Sequence, residues 1–123
     1  MIEPRHVLVV DDDPLVRLAL HQALGDSGCI VTEATDARSA AALLSGAAPP
    51  FDVVLLDCQM PDSTGLALLA TVRTLAPASV VIMMTAHPTP AIVAGAERLG
   101  AERVMQKPMH IDELCRLVTD GRL

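Results

Sequence analysis

The chain has 123 residues, 51% of them hydrophobic, with one aromatic side chain (Phe51) and a net charge of -6. That length suits one domain with a real core, and the acidity argues against direct nucleic-acid binding by this chain, because such binding needs a basic face. Cys29, Cys58 and Cys115 offer neither a disulfide framework nor a C-x-x-C pair, and no secretory leader or membrane-length apolar run is evident, so a soluble cytoplasmic chain with reduced thiols is expected.

Apolar runs alternate with helical patterns five times. His6-Val10 is short and β-branched, as in a strand covered on both faces. Asp13 then stands as an N-cap before Pro14, a residue tolerated in the first helical turn. The first helix is expected to bury Val16, Ala19, Leu20, Ala23 and Leu24, and Gly25 and Gly28 to close it. Ile30-Ala34 reads as a weaker, more polar edge strand. Asp36 caps a second helix with Ala37, Ala40, Ala41 and Leu44 inward, and Pro49-Pro50 bars helix before Phe51.

The third strand, Val53-Leu56, ends at Asp57. A loop from Cys58 to Thr64 leads to a helix over about Gly65 to Ala76, with Leu66, Leu69 and Val72 on its inner face. Val80-Met84 is the fourth strand, ending at Thr85; the helix near Ala91-Leu99 turns Ile92, Ala96 and Leu99 inward. Arg103-Gln106 is a short fifth strand ending at Lys107-Pro108, and Ile111, Leu114, Cys115 and Val118 mark the closing helix. This alternation predicts an α/β fold with a doubly wound parallel sheet.

In such sheets ligands bind beyond the carboxyl ends of the strands. Asp11, Asp12, Asp57, Thr85 and Lys107 therefore share one crevice. Two carboxylates from different strands plus a carbonyl suit a hard cation such as Mg2+, which keeps several waters. Asp12, Asp57 and the backbone carbonyl of Gln59 would supply these, with Asp11 acting through water. The cation would remove repulsion among the carboxylates and hold Asp57 ionised as a nucleophile toward phosphorus. Lys107 adds a point charge and Thr85 a hydroxyl for the phosphoryl oxygens. Taken singly these residues have ordinary explanations: a cap, a strand end, a solvated lysine. Capping accounts for Asp13 but not for Asp11 and Asp12 as well.

Four segments carry a resemblance: VLVVDDDPLVR (7–17), VVLLDCQMPDSTGLALL (53–69), VVIMMTAH (80–87) and VMQKP (104–108). In order and spacing they resemble the receiver domain of two-component response regulators, over essentially the whole chain. The resemblance implies a five-stranded flavodoxin-like sheet in order 2-1-3-4-5, filling residues 1–123 as one receiver domain with no effector domain. It identifies Asp57 as the residue phosphorylated by a sensor histidine kinase or phosphotransfer protein. Asp11 and Asp12 become the acidic pair for Mg2+ (or Mn2+), with the carbonyl of Gln59, and Thr85 and Lys107 the phosphoryl-contacting pair. A cis Lys107-Pro108 bond is expected, as is reshaping of the face formed by the fourth helix, fifth strand and fifth helix, through which the chain would control a partner, a homodimer or an attached output domain. Such a protein is a phosphoacceptor rather than an enzyme.

Two positions depart from the family pattern. Val104 stands where an aromatic residue often rotates inward, and Met109 where Phe commonly follows Lys-Pro. Gln59 and His87 would flank the path of the hydrolytic water, although both also read as solvated loop residues. Cys58 reads as a small apolar filler, and Pro88 and Pro90 stiffen the entrance to the fourth helix. A rival class is a haloacid-dehalogenase-like Mg2+-dependent phosphatase, with Asp11 as nucleophile in a D-x-D pattern completed by Asp13. It would leave Asp57 without a task, and the sequence lacks the acidic motif such enzymes carry downstream. A phosphorylation-independent interaction module is a third reading, disfavoured because every expected acceptor residue is present.

Overall fold

The computed structural model describes residues 4–46 and 50–120; Pro49 lies outside the described residues. Five strands, β1 (His6–Val10), β2 (Ile30–Ala34), β3 (Val53–Asp57), β4 (Val80–Thr85) and β5 (Arg103–Gln106), form one sheet in the order β2-β1-β3-β4-β5. Every neighbouring pair is parallel. The helices between and after them are α1 (Pro14–Asp26), α2 (Ala37–Leu44), α3 (Gly65–Leu75), α4 (Pro90–Arg98) and α5 (Ile111–Asp120). Among the described residues no helix is long and apolar enough to cross a membrane.

Alternation along the strands sorts the core into two layers, because successive side chains leave a strand on opposite faces. Leu8, Val10, Val54, Leu56, Val81 and Met83 pack with Ala40, Leu68, Leu69, Val72 and Ala96 of α2, α3 and α4. On the other face Val7, Val9, Val53, Leu55, Ile82 and Met84 meet Leu20, Leu24, Leu114, Cys115 and Val118 of α1 and α5. The continuously apolar runs are thus a direct consequence of helices on both sides of the sheet.

Local signals start the helices. The Asp13 carboxylate accepts from the Leu15 amide at 2.9 Å, Asp36 and Ser39 form a reciprocal capping box, and Thr64 and Thr89 cap α3 and α4. Gly28, just beyond α1, adopts a φ of +92°, which a side chain would disfavour. Gly25 lies within α1 instead of closing it.

The inward stripes differ in detail from expectation. Ala19 is exposed, so α1 buries a narrower arc centred on Leu20 and Leu24. In α3, Leu68 is buried in place of Leu66, which is partly buried and turned toward Gly95 of α4. Leu43 of α2 also packs on the core, where the sequence pattern gives Ala41 that place. The expected Cys58-Thr64 loop contains a small antiparallel ladder of Gln59–Met60 with Ser63–Thr64.

That ladder folds the chain back so tightly that Gly65 lies against the residue after β3. A Cβ at Gly65 would stand 2.6 Å from Cys58 Sγ and 2.7 Å from Cys58 Cα. The backbone atom cannot rotate away. Gly65→Ala should therefore destabilise the fold by about 1–3 kcal/mol, seen as a lower urea midpoint at unchanged m; an unaltered midpoint would show that the turn relaxes freely.

Candidate functional site

Register delivers the polar residues to one rim of the sheet. Val10 is paired with Leu56 and Asp57 with Met84, while Thr85 is paired with Gln106. The residues that follow or end these strands, Asp11, Asp57, Thr85 and Lys107, consequently emerge together. The amide of Lys107 donates to the Thr85 carbonyl at 2.8 Å, and that of Cys58 to Met84 at 2.8 Å, extending the ladder into the site. The Lys107-Pro108 peptide is cis, as the resemblance implies.

Asp11 and Asp57 are 0% and 4% exposed, and Thr85 is 2% exposed. Lys107 Nζ donates to Asp11 Oδ2 at 2.7 Å and stands 3.3 Å from Asp57 Oδ2. The other oxygen of Asp11 accepts from the Asp13 amide at 2.9 Å, and the other oxygen of Asp57 from the Gln59 amide at 3.1 Å. The hydroxyl of Thr85 accepts from the His87 amide at 3.1 Å. Asp12 is exposed and, among the described residues, its carboxylate has no hydrogen-bond partner. Its oxygen nonetheless lies within 4.8 Å of one oxygen each from Asp11 and Asp57.

Three carboxylate oxygens this close could together hold a divalent cation, which takes hard oxygen donors. One ammonium faces three carboxylates, two of them removed from water. Burial pushes the Asp57 carboxyl up, the Gln59 amide pulls it back, the charge of Asp11 raises it again and Lys107 lowers it, with a net rise. For Lys107, burial lowers the ammonium, but the hydrogen bond and charge of Asp11, followed by those of Asp57, hold it above its ordinary value.

All of Asp11, Asp12, Asp57, Thr85 and Lys107 are thus brought together. Gln59 lies at the start of the small ladder and His87 just beyond β4, both exposed at the mouth. Sequence reasoning overlooked two supporting residues. Asp62 accepts from the Ala37 and Arg38 amides of α2 at 2.8 and 3.1 Å, and Arg17 donates to the Asp11 carbonyl at 2.8 Å. Cys58 is buried beside Asp57, and burial raises its thiol, followed by the Asp57 charge; this suits the filler reading.

The family described as the response regulator receiver domain matches residues 7–119. The chain is 38% identical over 112 residues to the DNA-binding transcriptional regulator NtrC of Salmonella typhimurium, covering 91% of this chain and 24% of that protein. It is 37% identical over 120 residues to the probable transcriptional regulatory protein NarL of Mycobacterium tuberculosis, covering 96% of this chain and 55% of that one. The chain therefore spans about a quarter of the NtrC relative and about half of NarL. Among solved structures, a CheY-like receiver domain protein from Methanospirillum hungatei superposes with a TM-score of 0.90 at 25% identity, covering 96% and 93% of the two chains. The chemotaxis protein CheY4 of Vibrio cholerae gives 0.85 at 28% identity, covering 95% and 98%.

The raised Asp57 carboxyl has a consequence for stability. A group whose folded pKa exceeds its unfolded one contributes fully below the unfolded value and loses that contribution as pH rises through the folded one. Ionised Asp57 is therefore a cost at neutral pH, while Lys107, also raised, stays favourable until strongly alkaline pH. With chelator present, Asp57→Asn should raise Tm at pH 7 by roughly 3 °C, on the order of 1 kcal/mol after solvent screening. Calorimetry at stepped pH should show the gain shrinking toward pH 3; an equal Tm difference at every pH would contradict it.

Proposed function

The chain belongs to the response regulator receiver family, and on that premise we propose that Asp57 accepts a phosphoryl group from the phosphohistidine of a sensor histidine kinase or phosphotransfer protein. The observation that carries the reading is the Lys107 ammonium set between Asp11 and Asp57, at 2.7 and 3.3 Å, beside a buried Thr85. An Asp57 oxygen attacks phosphorus, the phosphorus–nitrogen bond breaks, and the electron pair leaves with the imidazole. Lys107 then neutralises a phosphoryl oxygen, and the Thr85 hydroxyl turns from the His87 amide to donate to another. Asp12, Asp57 and the Gln59 carbonyl would hold Mg2+, or Mn2+ in its place, with Asp11 acting through water. When bound, the cation offsets the crowded negative charge and favours ionised Asp57.

Movement of Thr85 reshapes the α4-β5-α5 face. Val104, partly buried against the α2-α3-α4 layer, takes the place of a swinging aromatic, so the change is carried by Thr85 and the β4-α4 segment. Through this face the chain would control a partner, a second copy of itself or an attached output domain. We read residues 1–123 as a single receiver domain acting in the cytoplasm, which promotes only its own phosphorylation and dephosphorylation. A phosphatase using Asp11 is not favoured: the receiver family matches residues 7–119, and Asp11 makes the shorter of the two carboxylate contacts to Lys107, 2.7 Å against 3.3 Å for Asp57.

Mg2+ and acetyl phosphate should add one phosphoryl group by intact-mass measurement, a suitable readout for a chain without Trp or Tyr. Asp57→Asn or chelator should abolish the adduct, and Lys107→Ala should slow its formation on the order of a hundredfold. An adduct that persists in Asp57→Asn would overturn the assignment. His87→Ala should change the decay rate of the phosphorylated protein without preventing its formation. Identical decay curves would remove His87 from the water path.

A further inference from the structure

We infer that Arg17 is a positioning residue for the acidic pair and that Glu33 of the edge strand β2 is its buttress. The inference rests on the receiver reading of the rim. The Asp11-Asp12 peptide carries the exposed Asp12 carboxylate, which has no hydrogen bond of its own among the described residues. Its aim is therefore set by the backbone it hangs from.

Edge strand β2 holds that backbone on both sides of Asp11. The Asp11 amide donates to the Ala34 carbonyl at 3.2 Å. The Asp11 carbonyl accepts from Arg17 Nη1 at 2.8 Å, and Arg17 Nε is paired with Glu33 Oε1 at 3.2 Å. His21 Nδ1 lies 2.7 Å from Glu33 Oε2. One planar guanidinium thus spans the strand and the loop with two donors fixed in relative direction, a geometry a lysine cannot reproduce.

Helix electrostatics do not explain the residue. Arg17 lies near the N-terminal end of α1, where the macrodipole disfavours a cation, and its side chain is only 16% exposed. One of its hydrogen bonds ends on the peptide between Asp11 and Asp12, and the other on Glu33. Fixing that peptide orients one carboxylate toward the cation while the other stays on Lys107. Groups that orient ligands without touching the metal alter metal affinity by roughly tenfold or more.

The test is equilibrium binding of Mn2+ to the unphosphorylated 123-residue chain, read from the loss of the free-ion electron paramagnetic resonance signal. Circular dichroism should establish that every variant is folded at the temperature used. Arg17→Ala should weaken binding about tenfold, with partial recovery in Arg17→Lys. Glu33→Gln, which leaves the arginine in place, should weaken it about threefold; if Arg17→Ala does not fold, this variant decides. A merely structural arginine would lower Tm and leave Mn2+ affinity of the folded protein unchanged, and that result overturns the inference while the receiver reading stands. Wild-type protein that binds no Mn2+ and gains no phosphoryl group overturns both.

Discussion

A single ammonium group reconciles the charges that this fold brings together. Lys107 Nζ lies 2.7 Å from a fully buried Asp11 and 3.3 Å from a nearly buried Asp57. Without it, two carboxylates would face one another out of reach of bulk water, a far costlier arrangement than an exposed pair. The position of that ammonium depends on β5, the shortest strand of the sheet. Its alignment with β4 and the Lys107 amide bond to the Thr85 carbonyl fix the lysine's backbone. The chemistry at the rim is accordingly inseparable from the pairing of the last two strands.

The sheet supplies direction and the helices supply cover. Because the strands are parallel and in continuous register, their carboxyl ends meet along one edge. The helices seal both faces with aliphatic side chains, using Leu, Val and Ala where many domains use aromatic anchors. Close approach replaces bulk. Gly65 touching Cys58 and Gly95 touching Leu66 are places where even a methyl group would intrude.

Much of this was legible in the sequence. Asp57, Thr85 and Lys107 each end an apolar run, and Asp11 follows one directly, so strand polarity alone brings them together. The caps Asp13 and Asp36 were equally plain, since side-chain–backbone capping is local. Helical phase was harder to read. Leu66, Leu68 and Leu69 all compete for one inward arc, and the apolar residues that sit side by side in α1 and in the Ala-rich α2 carry too little contrast to rank Ala19 against Leu20 or Ala41 against Leu43. Asp62 escaped notice because its partners are backbone amides of α2, and Arg17 because the bond that reaches the site ends on the Asp11 carbonyl. A peptide group leaves no residue-specific mark in a sequence.

Asp62 also divides the site mechanically. Its two bonds to the start of α2, together with the Gly65-Cys58 contact, moor the β3-α3 turn to the body of the domain. Across the rim, residues 86–90 are exposed throughout. One bank of the crevice is thus tied to a second helix, while the other, stiffened by Pro88 and Pro90, carries local bonds among Thr85, His87 and Thr89. New bonds formed between the banks would shift the second as one stiff lever and carry α4 with it.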